Sequence, residues 1–351
     1  MHPDKELHTI SDQASLAEAM EKLGQPGQLR TLFLLNSEQQ VTGSLTDGDI
    51  RRALLKGTTL DQPCAACSFQ AFKHISPDAN VVAEIPQWKA LGISVIPVLD
   101  AQKRLVRILD LNRLKSYLPV TAVIMAGGFG NRLRPLTIQT PKPMLPLNGM
   151  PILEINIRRL ISYGIQDIYL AVNYLKDQIM NHFGDGKNLG CTIHYIEENE
   201  PRGTMGALSE LVQKTVQQDI LLFNADLLSN IDLEEMYNAY QNGNAALCMA
   251  TIPYRVNIPF AVVELQENQI TGLSEKPTYT YYSNAGFYLF QSAYIGEIPK
   301  QGFYNATDFV DALIAKQNKV VQFPILGYWS DIGSIEEYHK ASEDIQYLDL
   351  F

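Results

Sequence analysis

Short apolar runs alternate with amphipathic segments from residue 121 to residue 226, an order that few folds accommodate. The apolar runs predict strands at 121–127, 166–174, 191–198 and 219–226, and the segments between them predict helices at 151–164, 175–184 and 203–215. Strands and helices at this spacing form right-handed βαβ units with a largely parallel sheet. After about residue 245 the strands lie closer together, which predicts an antiparallel extension. We therefore expect an α/β fold with a mixed, mostly parallel sheet.

Residues 1–118 carry a different pattern, which repeats once. The first copy predicts a helix at 15–23, strands at 30–36 and 39–45 and a helix at 46–57, and the second copy occupies 78–100 and 104–118 in the same order of helix, strand, strand and helix. Pro119 ends the second copy, because a proline disfavours helical geometry in the residue before it. The sequence therefore predicts two parts, residues 1–118 and residues 119–351.

The composition argues against several classes of protein. Of the 351 residues, 46% are hydrophobic and 19% are charged, as in ordinary globular chains, and the net charge of −10 argues against binding to nucleic acid. The first residues contain no basic stretch followed by an apolar core, and apolar runs such as 92–99 are too short to span a bilayer. We expect a cytoplasmic protein that binds neither nucleic acid nor membrane.

The most informative motif is VIMAGGFGNRLRPLTIQTPKPMLPL at residues 123–147. A dinucleotide-binding fingerprint needs a third glycine after Gly128 and Gly130, but that position is Leu133, and no acidic residue follows about 20 residues later. A Walker loop needs a lysine followed by serine or threonine directly after its glycines, and this stretch has none. Both familiar phosphate-binding motifs are therefore excluded.

The same stretch nevertheless suits a ligand rich in phosphate. The residues expected to leave backbone N–H groups open to a nucleotide are Ala126, Gly127, Gly128 and Gly130. Arg132 then supplies a planar guanidinium for phosphate oxygens, and Lys142 supplies a compact positive charge. Pro141 and Pro143 restrict the backbone on either side of that lysine, which favours a fixed position for its ammonium group.

GGFGNRLRPLT followed by PKPMLPL resembles the signature of the sugar-1-phosphate nucleotidylyltransferases, over about residues 121–345. The resemblance implies a Rossmann-like (GT-A-like) fold. It also implies transfer of a nucleotidyl group from an NTP to a sugar 1-phosphate, with release of pyrophosphate. The sugar phosphate is already an anion, so no general base and no covalent intermediate are needed. Catalysis then depends on positioning, cationic side chains and a divalent metal ion.

The resemblance also implies a metal site. Asp226 follows an apolar strand in LLFNAD, where the family has a Gly-Asp pair and this chain has Ala225. Asp331 lies in GYWSDIGS, which resembles the W-x-D-x-G element of the family. Together the two carboxylates are expected to hold Mg²⁺. The expected catalytic residues are Arg132 for the pyrophosphate, Lys142 for the reacting phosphates, and Asp226.

Further ligand contacts are implied by the resemblance alone. An E-K-P segment and an N-x-G strand within 272–290 imply contacts to the sugar phosphate by Glu275, Lys276, Asn284 and Gly286. The segment 198–208 implies contacts to the nucleotide by Gly203, Thr204 and Gly206.

Residues 7–118 resemble a pair of CBS domains, the β-α-β-β-α modules that usually occur in tandem. The best local match is GSLTDGDIRRAL at 43–54, where Thr46 would meet a phosphate and Asp49 the ribose of an adenine nucleotide. The second copy lacks the matching glycine and threonine, so at most one complete site is expected. Alternatively, Thr46 only caps the next helix and the pair mediates dimerisation. A homodimer or higher homo-oligomer is the default expectation.

A CBS pair in front of a nucleotidylyltransferase resembles bacterial guanylyltransferases of surface-glycan synthesis, including those that act on glucosamine 1-phosphate for legionaminic acid. This resemblance favours GTP and a hexosamine or hexose 1-phosphate. No spacing in the sequence indicates guanine, so CTP, UTP and dTTP stay open. The alternative from another class is a nucleotide sensor in which the second domain is a non-catalytic effector. The chain has all four charged residues expected at the catalytic site, which argues against that alternative; they are Arg132, Lys142, Asp226 and Asp331.

Overall fold

The computed structural model describes residues 5–27, 29–77, 79–213 and 219–351. Its first unit contains β1 (Thr9–Ser11), α1 (Leu16–Leu23), β2 (Thr31–Leu35), β3 (Val41–Thr46) and α2 (Asp47–Leu55). β1 and β2 are parallel, whereas β2 and β3 are antiparallel. The two helices and two strands predicted for the first copy are therefore confirmed, with ends that agree to within two residues.

Side-chain caps fix where the helices of the first unit begin. Ser15 Oγ accepts a hydrogen bond from the N–H of Glu18, whose carboxylate accepts one from the N–H of Ser15. Thr46 and Asp49 form the same reciprocal pair at the start of α2. A cap of this kind contributes about 0.5–2 kcal/mol to stability. Local helix capping therefore accounts for the geometry of Thr46 and Asp49.

The second unit is shorter than the sequence predicts. It contains α3 (Glu84–Ala90), β4 (Val95–Leu99) and β5 (Leu105–Asp110), and β4 and β5 are antiparallel. The helix expected at the end of this copy does not form within 111–118, so that expectation was wrong. The N–H groups of Lys115 and Leu118 instead donate to the carbonyls of Ser162 and Tyr163, at 2.6 and 2.9 Å. These bonds join the second unit to the large domain in place of an intrahelical ladder. Asp78, in the predicted 78–100 segment, lies outside the described residues.

The large domain follows directly. Its first half contains β6 (Val120–Met125), β7 (Pro146–Leu147), β8 (Met150–Pro151), α4 (Ile152–Ser162), β9 (Asp167–Val172), α5 (Lys176–Phe183), β10 (Thr192–Glu197), α6 (Gly203–Gly206) and β11 (Asp219–Asn224). These match the predicted strands and helices, with one difference. The helix predicted at 203–215 is the short α6 followed by 3-10 turns over 207–213, and residues 214 and 215 lie outside the described part of the chain.

The second half completes the domain. It contains β12 (Leu227–Ser229), α7 (Leu233–Asn242), β13 (Leu247–Asn257), β14 (Val262–Gln266), β15 (Gln269–Ser274), β16 (Thr278–Phe290), α8 (Ala306–Ala315), β17 (Val320–Pro324), β18 (Trp329–Asp331) and α9 (Ile335–Asp344). Among the helices that the structure describes, none has the length and apolar character that a bilayer crossing needs.

A seven-stranded sheet organises the large domain, in the order β10-β9-β6-β11-β16-β13-β17. The strands from β10 to β11 are parallel, and β16 is antiparallel to both of its neighbours. β17 then runs parallel to β13. The mixed, mostly parallel sheet and its antiparallel extension are therefore confirmed.

Helices cover both faces of this sheet. Leu153 of α4, Ile179 of α5 and Met236 of α7 pack on one face, and Phe309 of α8 packs on the other. Burying a side chain of this size stabilises the fold by about 1.5–3 kcal/mol. The two layers hold the strand ends, and with them the residues that follow each strand, in fixed positions.

Candidate functional site

The carboxyl ends of four neighbouring parallel strands meet at one edge of the sheet. β6 lies between β9 and β11, and β10 lies beyond β9. The residues that follow these strands line a pocket of about 330 Å³, and they include Ala126, Asn173, Glu198 and Asp226. In open α/β sheets ligands bind beyond the carboxyl ends of the strands. The position of this pocket therefore makes it the candidate site.

The glycine loop after β6 forms one wall of the pocket. Ala126, Gly127 and Gly128 line it, but the N–H of Ala126 donates to the carbonyl of Ala171 at 2.8 Å and is therefore not open to a ligand. A Cβ atom at Gly127 would lie 3.2 Å from Glu198 Oε2, so a larger residue would crowd the pocket. Gly130 lies outside the lining, where its carbonyl accepts a hydrogen bond from the Thr137 hydroxyl.

The start of α6 forms a second wall. Gly203 and Thr204 line the pocket, and Thr204 Oγ1 accepts a hydrogen bond from the N–H of Ala306 at 2.8 Å. Gly203 has φ of +78°, and a Cβ there would lie 2.5 Å from the carbonyl oxygen of Tyr304. Gly206 does not line the pocket; a Cβ there would lie 2.7 Å from Arg202 Cβ, so it serves packing.

Lys142 and two aspartates form a charged cluster at the pocket. Lys142 is 8% exposed and lies between the buried Pro141 and Pro143. Its Nζ donates to Asp226 Oδ2 and lies 3.8 Å from Asp331 Oδ1. The short ladder of β12 and β18 pairs Leu227 with Asp331, which brings the two aspartates together from distant parts of the chain.

The two aspartates fit a divalent cation. Oδ1 of Asp226 and Oδ1 of Asp331 are both buried and have no hydrogen-bond partner. Burial, followed by the nearby Asp226 carboxylate, raises the pKa of Asp331. A bound cation would be a partner for both Oδ1 atoms and would offset the repulsion between the two carboxylates. Within the described ranges, the structure contains no cluster of three or more His, Cys, Asp or Glu side chains that could hold a metal ion. Two carboxylates completed by phosphate oxygens and water suit Mg²⁺.

Arg132 lies at the edge of this cluster. Its guanidinium is exposed, and a Cβ at Gly333 would lie 3.1 Å from Arg132 Nη2. Arg132 also lowers the pKa of Asp331, against the larger effect of burial. Neither Arg132 nor Asp331 lines the 330 Å³ pocket, so Arg132 lies outside the pocket lining, near Asp331.

Glu198 was not among the residues selected from the sequence. It is 7% exposed, it lines the pocket, and its Oε1 is buried without a hydrogen-bond partner. Burial raises the pKa of the Glu198 carboxyl, and the backbone and charge of Arg202 partly oppose this rise. An unpartnered acceptor in a pocket indicates a ligand that donates hydrogen bonds. The sequence signal was only an acidic residue directly after β10, where parallel strand ends gather functional groups.

The residues expected at the sugar phosphate are only partly near the pocket. Gly286 is adjacent to it, because a Cβ there would lie 3.3 Å from Nδ2 of Asn224, which lines the pocket. Asn284 accepts from the N–H of Gly286 and donates to the Tyr288 hydroxyl. Glu275 and Lys276 are exposed in the turn between β15 and β16 and do not line the pocket. Their contact with a sugar phosphate stays a prediction.

A second cavity, of about 430 Å³, lies between the first and second N-terminal units. Thr46, Phe69, Phe72 and Lys73 are among its lining residues, and Asp49 is not. Asp49 accepts from the N–H and hydroxyl of Thr46 and pairs with Arg52 at 2.6 Å. The structure therefore places Thr46 at a cavity and Asp49 in the helix cap.

Two relatives of this chain are guanylyltransferases by name. A mannose-1-phosphate guanylyltransferase of Mycobacterium tuberculosis is 33% identical over 233 residues, which are 64% of this chain and 64% of that protein. A D-glycero-alpha-D-manno-heptose 1-phosphate guanylyltransferase of Aneurinibacillus thermoaerophilus is 29% identical over 228 residues, which are 64% of this chain and 98% of that protein.

Solved structures share the fold. A putative glucose-1-phosphate thymidylyltransferase from Bacillus anthracis aligns with a TM-score of 0.54 and 22% identity, over 66% of this chain and 96% of that one. HddC from Yersinia pseudotuberculosis aligns with a TM-score of 0.51 and 24% identity, over 64% of this chain and 99% of that one.

One family model matches the start of the first part of the chain, and another matches most of the second part. The CBS domain model matches residues 2–56, and the nucleotidyl transferase model matches residues 121–347, which is more than half of the chain. The chain therefore belongs to the nucleotidyl transferase family and carries a CBS domain in front of its nucleotidyl transferase domain.

Proposed function

We propose that the chain transfers a nucleotidyl group from an NTP, with GTP favoured, to a sugar 1-phosphate, which gives an NDP-sugar and pyrophosphate. The observation that carries this proposal is the ion pair between the buried Lys142 and the half-buried Asp226, with Asp331 beside it, next to a pocket walled by glycine backbone. Lys142 supplies one fixed positive charge, and two carboxylate oxygens have no hydrogen-bond partner. This arrangement suits a ligand that brings phosphates and a divalent cation together.

The reaction joins two phosphates directly. An oxygen of the sugar 1-phosphate attacks the α-phosphorus of the NTP in line. The bond from the α-phosphorus to the oxygen that bridges to the β-phosphorus breaks, and pyrophosphate leaves with the bonding electron pair. No proton has to move, because the attacking oxygen is already an anion. The barrier is therefore mainly electrostatic, and fixed positive charge lowers it.

Each charged side chain takes one part of this task. Lys142 offsets the negative charge that the two reactants bring to the α-phosphate. Arg132, which is exposed near Asp331, is suited to bind the departing pyrophosphate because a guanidinium can donate two parallel hydrogen bonds. Asp226 and Asp331 would hold Mg²⁺, which when bound neutralises phosphate charge.

Glu198 supports GTP over the other nucleotides. A carboxylate is an acceptor only, and guanine presents two adjacent donors, its N1–H and N2 amino group. Uracil and thymine present one such donor between two carbonyls, and adenine and cytosine present one donor beside a ring acceptor. Only guanine therefore meets both oxygens of the Glu198 carboxylate. Two wall residues with exposed rings, Phe129 and Phe303, add apolar surface for a base.

We expect Glu198→Gln to change the choice of nucleotide. Glutamine offers one acceptor and one donor, which suits uracil and leaves one guanine donor unpaired. A bidentate base contact provides about 1–3 kcal/mol of discrimination, so the ratio of kcat/KM for GTP to that for UTP should fall about 10- to 100-fold. Glu200→Gln, an exposed glutamate of the same turn, is the matched control and should keep the parent ratio. An unchanged ratio in Glu198→Gln would remove the argument for guanine.

The sugar is best identified by direct assay. The two relatives named above act, by name, on mannose 1-phosphate and a manno-heptose 1-phosphate. The test is a matrix of GTP, ATP, CTP, UTP and dTTP against mannose, glucose, glucosamine and heptose 1-phosphates with Mg²⁺, measured as released pyrophosphate. Turnover with GTP and one of these sugars supports the proposal. Turnover with no pair would favour a nucleotide sensor with a non-catalytic domain.

The N-terminal cavity supports a regulatory nucleotide site. Phe69 and Phe72 provide apolar surface for a base, and Lys73 provides a charge for phosphate, whereas the Thr46 hydroxyl already donates to Asp49. We expect an adenine nucleotide to change the transfer rate at least about twofold, as a coupling near 0.5 kcal/mol would. Lys73→Ala should abolish that change, whereas Lys56→Ala, an exposed lysine near the end of α2, should not. A rate that is independent of adenine nucleotide would leave the CBS part a structural or dimerising module.

A further inference from the structure

A third cavity lies where the second N-terminal unit meets the large domain. Its volume is about 440 Å³, which is within the range of small-molecule sites. Leu109 of β5 and Leu114 of the segment after β5 line it from the second unit, and Ile161 and Leu189 line it from the large domain. No local sequence pattern indicates this cavity, because its two walls come from different parts of the chain.

Charged side chains also line the cavity, namely Asp110, Arg113 and Arg158. Arg113 Nε lies 3.3 Å from Oδ2 of Asp110, and Arg158 Nε donates to Glu154 Oε1 at 2.8 Å. Each carboxylate orients one edge of a guanidinium, and the side chains of Arg113 and Arg158 are still 67% and 44% exposed. A guanidinium has five N–H donors, so both arginines can also bind an anion. Apolar walls with two oriented cations match a ligand that has an apolar body and one anionic group.

The cavity is connected to the charged cluster through α4. Arg158, Ile161 and Ser162 face the cavity. Asn156, about half a turn away on the same helix, donates from Nδ2 to the carbonyls of Ala225 and Leu227, at 3.4 and 2.9 Å. Those two carbonyls lie on either side of Asp226. One helix therefore contacts the cavity on one face and fixes the backbone around Asp226 on the other.

A second connection runs through the segment that holds Lys142. Met150, at the start of β8, lines the cavity. β8 pairs with β7, which begins four residues after Lys142. A ligand in the cavity would thus touch both segments that position the Lys142–Asp226 pair.

We propose that this junction cavity is an effector site for a small amphiphilic anion, a molecule with an apolar ring system and one sulfonate, carboxylate or phosphate group. Its occupancy changes the transfer rate by shifting α4 and the backbone around Asp226. The effect on rate rests on the proposed function, whereas binding and the shift of the backbone do not.

Binding can be tested with 8-anilinonaphthalene-1-sulfonate as the probe, by titrating the full chain and following fluorescence. Leu189→Trp fills the cavity and should weaken binding at this site at least about tenfold. The double variant Arg113→Gln/Arg158→Gln removes the cations and should do the same. The controls are Leu326→Trp and Arg255→Gln, which change exposed residues outside the cavity. If both cavity variants bind the probe as tightly as the parent, the site does not exist. The double variant keeps the test decisive if Leu189→Trp does not fold.

Coupling can be tested by hydrogen exchange. Saturating probe should slow or speed amide exchange at Leu227–Ser229 at least about threefold in the parent and leave it unchanged in Arg113→Gln/Arg158→Gln. Unchanged exchange in the parent would overturn the coupling through α4.

The transfer rate should change at least about twofold under the same conditions, and an unchanged rate in an active enzyme would overturn the regulatory role. If no sugar or NTP gives turnover even without probe, the proposed function fails, while the binding and exchange results still decide the cavity.

Discussion

Replacing Lys142 with alanine is expected to lower kcat at least about a hundredfold, which corresponds to ~2.7 kcal/mol of transition-state stabilisation. Lys142 is buried, its ammonium pairs with Asp226, and buried prolines flank it, so its charge has a fixed position beside the pocket. Alanine would remove that charge and leave Asp226 without its cation. The measurement is steady-state release of pyrophosphate at saturating NTP and sugar 1-phosphate.

Two controls separate catalysis from stability. Lys316→Ala removes a lysine that pairs with Glu297 at 2.9 Å and does not line the pocket, and it should leave kcat within about twofold of the parent. The melting temperature of Lys142→Ala has to be measured as well, because removing one partner of a buried pair destabilises a fold by up to about 3–5 kcal/mol. A folded Lys142→Ala variant with near-normal kcat would refute the assignment of Lys142.

Asp226→Asn is expected to lower kcat by at least about a hundredfold and to raise the Mg²⁺ concentration needed for half-maximal activity. The carboxylate accepts from Lys142 through Oδ2 and has a buried, unpartnered Oδ1 that faces the same region as Asp331. Asparagine keeps the shape but loses the charge that holds a cation. A Mg²⁺ titration of the pyrophosphate assay measures both quantities in one experiment.

The matched control for this variant is Asp311→Asn, which changes an exposed aspartate of α8. It should leave both the rate and the Mg²⁺ dependence unaltered. Combining Lys142→Ala with Asp226→Asn should cost less than the sum of the two single effects, because each single change already breaks the same pair. Full additivity would show that the two side chains act separately, contrary to the arrangement found here.

Much of the fold was predictable because it depends on local patterns. Apolar runs of strand length, amphipathic segments and caps such as Ser15–Glu18 specify their own elements, and they agree with the structure to within about two residues. The order of strands and helices then implied a parallel sheet through the handedness of βαβ units. The helix expected in 111–118 does not form, because the N–H groups of Lys115 and Leu118 donate hydrogen bonds to carbonyls of the large domain. Tertiary contacts outweighed local preference there.

Some residues of the candidate site were also predictable from local sequence, and others were not. Gly127, Gly128, Lys142 and its flanking prolines lie within one short stretch, so their spacing alone indicated phosphate chemistry. The resemblance of two separate motifs suggested Asp226 and Asp331, and the β12–β18 ladder brings these aspartates together. Glu198 could not be distinguished from its acidic neighbours by sequence.

The sequence by itself determined the succession of elements, the glycine loop and the lysine held between prolines, because these depend on residues close together in the chain. Only the tertiary structure decided that Glu198 lies against Gly127, that Glu275 and Lys276 lie outside the pocket, and that a cavity joins the two parts of the chain. Those facts depend on which strands are neighbours in the sheet and on how the N-terminal units dock against α4. Both are set by packing between distant segments, which no local pattern encodes.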